Sequence, residues 1–304
     1  MKALLLLLLS GSLTAALYMV RKLAGAESIP VTLFLFWQLS GSALVVLLFS
    51  IRSQQYPIWN MEHIRYYLIG GLLGTSIPFI LVFLALEKLQ VGLVGLVTAL
   101  SPIATYFLAR IVGVEQASTL RLLGLIFGLS GVALILNSGE SIDQSTHWGV
   151  LLLALMIPLT LAVSNIYRSR YWPAGSESVA IVMGMLMVNG VLLLIVNLWL
   201  GNFHANIFEN KQTLYLIGVL SVLAGAAYIS SFKLLKEGGP VYLSQMGYVI
   251  TVVTIIAGIF IWDEQYRVKD LISVSLVFAG VFMTTWSRKQ NRVPDLRISE
   301  LKEK

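Results

Sequence analysis

Long apolar runs recur along this chain, each closed by a short cluster of charged, glycine or proline residues. A helix rises 1.5 Å per residue, so about twenty apolar residues cross the roughly 30 Å of a bilayer's hydrocarbon. Ten runs approach or exceed that length, at 3–20, 30–51, 66–86, 91–109, 122–136, 148–167, 178–200, 213–232, 240–262 and 271–286. Pro30 and Pro240 fall where a span begins, and the first turn tolerates proline because its amide has no helical partner there. The pattern predicts an all-α integral membrane protein of ten transmembrane helices.

Composition agrees with that reading, since 57% of the 304 residues are hydrophobic and 12% charged, against about 25% charged in a soluble domain. Lys2, the leucines at 4–9 and the small residues Thr14, Ala15 and Ala16 resemble a cleavable signal peptide. The run continues to Val20 and nine similar segments follow it, so a retained first span is the simpler account. The absence of cysteine excludes disulfides, thiolate nucleophiles and cysteine-ligated metals, and no cofactor or metal is expected. The formal charge of +6 comes from basic residues scattered at span ends and gathered in the tail from Arg288 to Lys304, a distribution that suits a lipid surface rather than nucleic acid.

Basic residues are retained on the cytoplasmic side of membrane proteins, which orients the spans. With the N-terminus inside, that side holds 15 lysines and arginines, including Arg168 and Arg170, against 6 outside, including Arg21 and Lys22. Both termini are therefore expected to be cytoplasmic.

An internal repeat is visible at an offset near 149 residues. Tyr67-Leu68-Ile69-Gly70 recurs as Tyr215-Leu216-Ile217-Gly218, and after a one-residue shift Thr105 matches Thr254, Glu115 matches Glu264, and Gly131-Val132 matches Gly280-Val281. The matches keep their order. Five spans per half is an odd number, so the second half enters the membrane in the opposite sense, as two inverted five-helix repeats suited to alternating access.

The stretch 85–115, ALEKLQVGLVGLVTALSPIATYFLARIVGVE, together with residues 124–136 and the Glu-then-Gly pattern from Glu264 to Gly280-Val281, resembles the drug/metabolite transporter superfamily, specifically its ten-span EamA-type permeases. The resemblance covers nearly the whole chain. It implies a first EamA-like repeat over 1–137, an external linker at 138–147, a second repeat over 148–287 and a basic cytoplasmic tail at 288–304. It further implies a multi-pass protein of the plasma membrane, the inner membrane in a prokaryote, which exports or exchanges small metabolites or amphipathic compounds. The cavity would lie between the first, third, fourth, sixth, eighth and ninth spans.

No Asp, Glu, Lys, Arg or His falls in the middle of any of the ten spans as drawn, so the cavity is expected to be largely uncharged and to lack a buried carboxylate for proton coupling. Recognition would then rest on amides, hydroxyls and aromatic faces. In the fourth span Thr98, Ser101, Pro102 and Thr105 share one helical face. In the ninth, Gln245, Tyr248, Thr251 and Thr254 recur at steps of three, with Thr251 the repeat mate of Pro102. Gln245, Gln38 and Asn165 are costly to leave unpaired in lipid and should face the interior, while Tyr18 offers a stacking surface. The candidate substrate-binding residues are thus Gln245, Tyr248, Thr251, Thr98, Ser101, Thr105, Asn165, Gln38 and Tyr18. For each hydroxyl the alternative is a bond back to its own helix or to a neighbouring one.

Pro102, Pro78 and Pro158 are candidate hinges or tolerated bends, and Glu115 and Glu264 are repeat-related acids at span ends. Gly70 and Gly74, like Gly124 and Gly128, form small-xxx-small patterns that read as packing. A membrane-embedded enzyme acting on a lipid-like substrate is the alternative function. It would need converging acid–base or metal groups, whereas His63 lies on one side and His147 and His204 on the other. The expected partners are a small-molecule substrate, the lipid bilayer and a second copy of the chain, with no nucleic acid.

Overall fold

The computed structural model describes residues 2–24, 29–113, 119–137, 148–204, 211–265 and 268–290. The described chain is helical throughout: α1 (Lys2–Ala24), α2 (Val31–Ser53), α3 (Met61–Gly71), a π-helical turn (Leu72–Ser76), α4 (Ile77–Leu86), α5 (Val91–Thr98), α6 (Ser101–Ile111), α7 (Thr119–Asn137), α8 (Trp148–Arg170), α9 (Ser178–Trp199), α10 (Lys211–Ser244), α11 (Met246–Trp262) and α12 (Val268–Gln290). Glu115, the linker at 138–147 and the tail beyond Gln290 lie outside the described residues.

These helices form the ten expected spans, and the third, fourth and ninth are interrupted in ways that hydropathy does not reveal. The third span runs through α3, the π turn and α4, with Pro78 seated in the first turn of α4, where its missing amide costs little. The fourth span is split between α5 and α6, and Pro102 opens the second piece in the same way. Within α10 the backbone turns at Gly239, whose φ of 74° strains any side chain, and Pro240 starts the ninth span there. That span breaks again at Gln245 before α11.

The ends of the helices are tied together on two separate faces. On one, the Lys2 ammonium meets Glu237 at 2.6 Å, Lys236 meets Glu177 at 2.8 Å, and His63 Nε2 lies 2.9 Å from the Ser176 hydroxyl. On the other, Lys22 donates to the Leu89 carbonyl at 2.6 Å and Asn202 donates to the Thr32 hydroxyl at 3.2 Å. The first set joins the chain start to the second, sixth and eighth connections. The second set joins the first, third and seventh, which is the segregation that alternating crossings require.

Packing follows the pairing of two exchanged halves. The second and seventh spans pack together as α2 on α9, and the fifth and tenth as α7 on α12. In both cases a span meets its own repeat mate. The contact of α1 with α10 is mirrored by that of α8 with α4, and α1 with α11 by α8 with α6. Glycines set the closest approaches: a Cβ on Gly280 would lie 2.7 Å from the Gly128 backbone nitrogen, so α7 and α12 touch backbone to backbone. The fold is therefore two inverted five-helix repeats.

Candidate functional site

The fourth and ninth spans cross through α5 and α11 at two glycines. A Cβ on Gly247 would stand 2.7 Å from the Thr98 carbonyl oxygen, and one on Gly95 would strike the Thr254 side chain. Thr251 locks the crossing by donating from Oγ1 toward the Gly95 carbonyl at 2.8 Å and that of Gly247 at 2.7 Å. Thr254 likewise bonds back to Ile250 at 2.8 Å. These two hydroxyls are spent on backbone, as the alternative for such residues allows. Ser101 and Thr105 differ, for each is buried with a hydroxyl that has no hydrogen-bond partner among the described residues. Both project from α6, just past the break at which Pro102 withholds an amide.

From this crossing a polar cluster extends toward α1. The Thr98 hydroxyl donates to the Val94 carbonyl and lies 3.4 Å from the Tyr18 hydroxyl. One turn along, Arg21 is 2% exposed, which corrects its expected place in an external loop. Its Nη2 donates to Gln38 Oε1 at 3.1 Å, and its guanidinium lies 3.7 Å from the centre of the Phe79 ring. Phe79 in turn meets the Tyr228 ring edge-on at 6.0 Å. Arg21 Nη1, Gln38 Nε2 and the Tyr228 hydroxyl have no hydrogen-bond partner among the described residues.

Arg168, 147 positions after Arg21, is buried in the second half, and its expected place in a cytoplasmic loop is also corrected. Its surroundings are more complete. Nη2 donates to Asn165 Oδ1 at 2.9 Å, Nε approaches the Ser164 carbonyl at 3.4 Å, and the guanidinium sits 5.0 Å from the Phe232 ring centre. Its own carbonyl accepts from the Tyr66 hydroxyl at 2.9 Å. Gly74 makes room for it, since a Cβ there would come within 2.9 Å of Cζ. Tyr228 lies within electrostatic reach of both arginines.

The interior is therefore not charge-free. Both arginines lie in the last turns of helices that run past the hydropathy boundaries, α1 to Ala24 and α8 to Arg170, with side chains directed inward. Among the described residues no carboxylate pairs with either. Their separation is close to the repeat offset, but Lys22 and Arg170 stand 148 positions apart as well, so spacing alone does not single them out.

Glu264 caps the start of α5. Its carboxylate accepts from the amides of Val91 at 2.9 Å and Gly92 at 3.4 Å, the first two residues of α5, where the helix dipole favours negative charge. It is buried rather than solvated. Of the remaining candidates, Gln245 is buried at the break before α11 and Tyr248 is half-buried beside it. Pro158 lies inside α8, about one turn before Ala162. Asn189 ties α9 to the third span, donating to the Tyr67 and Met185 carbonyls, both at 2.9 Å, and accepting from Ser76 near the π turn at 3.4 Å.

A polar interior shared between two inverted halves, within ten spans, defines a multi-pass membrane carrier. The chain belongs to the EamA-like transporter family, whose pattern matches it twice, over residues 1–137 and 147–286. Among its relatives, the uncharacterized transporter YvbV of Bacillus subtilis is 23% identical over 236 residues, covering 77% of this chain and 76% of that one. The WAT1-related protein At1g68170 of Arabidopsis thaliana is 20% identical over 94% of this chain and 90% of its own length. A solved crystal structure superposes with a TM-score of 0.68 at 16% identity, over 96% of this chain and 99% of the other, and shares the fold.

Proposed function

We propose that this chain is an alternating-access transporter of the plasma membrane that exports or exchanges small metabolites or amphipathic compounds. The polar cluster at the junction of the two halves carries this reading. Polar and ionisable groups are expensive in hydrocarbon and are kept where solute passes. The cluster draws on the first, second, third, fourth, sixth and eighth spans through Tyr18, Arg21, Gln38, Phe79, Thr98, Asn165, Arg168 and Tyr228.

In this mechanism the halves rock about the α5–α11 crossing, where glycine contacts permit close approach without bulky interdigitation. The Glu264 bonds to α5 hold one face closed and release when the other closes. Pro102 and the break at Gln245 give the crossing helices two points of bending, and Pro78 and Pro158 serve the third and sixth spans similarly. Ser101, Thr105, Gln245 and Tyr248 line the path on the α6 and α11 side.

Reconstituted protein tested for efflux and exchange across amino acids, nucleosides and aromatic cations, with and without a pH gradient, checks the proposal. Thr98→Val and Gln245→Ala are expected to lose transport while the amount of protein in the membrane is unchanged. Normal transport by both variants contradicts this assignment of the path.

A further inference from the structure

Arg21 and Arg168 occupy matching places in the two repeats, each over a phenylalanine of the third span of its own half. Their hydrogen bonding is not equivalent. Arg168 is held by Asn165, by the Ser164 carbonyl and by a glycine-lined notch. Arg21 holds one amide oxygen and leaves Nη1 open. A guanidinium stays charged at every physiological pH, so a buried one without a counter-charge is costly unless something else supplies it.

The open valences around Arg21 share one chemistry. Arg21 Nη1 and Gln38 Nε2 are donors, because Gln38 already turns its oxygen toward Arg21, and the Tyr228 hydroxyl is able to donate. Two of these three open groups are donors alone and the third, the Tyr228 hydroxyl, can donate as well as accept, and the net charge of the described cluster is positive. Phe79 is stacked on the cation and edge-on to Tyr228, which brings the hydroxyl's ring to the same place. Planar or tetrahedral oxyanions are what such a donor set matches, since guanidinium pairs with them through charge-assisted bonds.

We propose that Arg21, with the Gln38 amide and the Tyr228 hydroxyl, receives an oxyanion, a carboxylate or a phosphate, carried by the transported solute. This rests on the transporter reading above and adds to it the chemical class of the substrate. Arg168 contributes field and framework from the other half, and the solute's negative charge supplies the counter-ion that no carboxylate among the described residues provides at Arg21.

The test uses purified full-length protein and matched probes: benzoate against benzamide, and phenyl phosphate against benzyl alcohol, read both by thermal shift in detergent and by flux in proteoliposomes. At least one anion is expected to raise the Tm and to be carried, while its neutral partner does neither, and the pair that responds identifies the oxyanion. Arg21→Gln is expected to weaken anion binding at least about thirtyfold, as loss of a buried charge partner does. Gln38→Glu places a fixed carboxylate against Arg21. It is expected to abolish anion binding with the Tm of the unliganded protein kept or raised, an outcome that separates recognition from folding. Equal responses to charged and neutral partners, anion binding that survives both substitutions, or flux of neutral and cationic solutes alone overturns the proposal and leaves the transporter reading standing. Arg21-dependent thermal shift without any flux contradicts the transporter reading instead.

Discussion

The carbonyl oxygen of Thr98 lies 2.7 Å from where a Cβ would project from Gly247, and these two residues stand 149 positions apart, the offset of the internal repeat. Repeat mates that touch each other must lie on the axis relating the halves. Thr98 and Gly247 therefore mark the centre of the α5–α11 crossing, about which the proposed rocking of the halves would turn.

Gly247→Ala is accordingly expected to force the two backbones apart. Overpacking of this kind costs about 1–3 kcal/mol, so the Tm in detergent should fall by several degrees and transport should drop more steeply than folded protein. Gly218→Ala is the control, because nothing lies within 4 Å of its added Cβ. An unchanged Gly247→Ala protein contradicts the pivot.

Hydroxyls in the same two spans are expected to separate by their partners. Thr251→Val loses bonds to two carbonyls and should cost about 1 kcal/mol of stability. Ser101→Ala and Thr105→Val remove buried hydroxyls with no partner among the described residues, so stability should hold or rise while transport falls. Parallel Tm and flux measurements on the three variants check the division.

The number of spans, their order and the repeat were legible in the sequence because each depends on summed hydropathy or on recurring residues. Helix ends were not. An arginine lowers a hydropathy window and looks like an interfacial anchor, so Arg21 and Arg168 were drawn outside, although their helices continue past them to Ala24 and Arg170. The cost of unpaired amides did point to Gln38 and Asn165, which prove to be the side-chain acceptors of those two arginines. Phe79 and Tyr228 carry no such signal, since aromatics in apolar spans read as core. Thr251 matched a polar stripe by spacing, but its hydroxyl turns to backbone because Gly95 brings a foreign carbonyl within reach.

Arg168→Ala is expected to act on folding. It empties a buried site and leaves the Asn165 oxygen without its donor, together worth at least about 2 kcal/mol. Gly74→Ala should produce a milder form of the same defect, since its Cβ crowds Ser164 and Arg168. The fraction of monodisperse protein after detergent extraction measures both.

Glu264→Gln is expected to loosen one face, because it removes the negative charge held against the start of α5. A charge at a helix N-terminus contributes about 0.3–1 kcal/mol, and up to about 2 when partly buried. The chain has no cysteine, so Thr98→Cys introduces a single label site. Its reaction with an impermeant maleimide applied from the Glu264 side should accelerate severalfold in the Glu264→Gln background. An unchanged rate places the closure elsewhere.

The central claim, that two inverted halves form a carrier with one solute path, is tested most directly by counterflow in proteoliposomes containing the purified protein. Uptake of a labelled solute should saturate with its concentration and accelerate when the vesicles are preloaded with the same solute unlabelled, as a site exposed to each side in turn requires. Flux that rises linearly without saturation, or that never exceeds protein-free vesicles across the whole solute panel, contradicts the account.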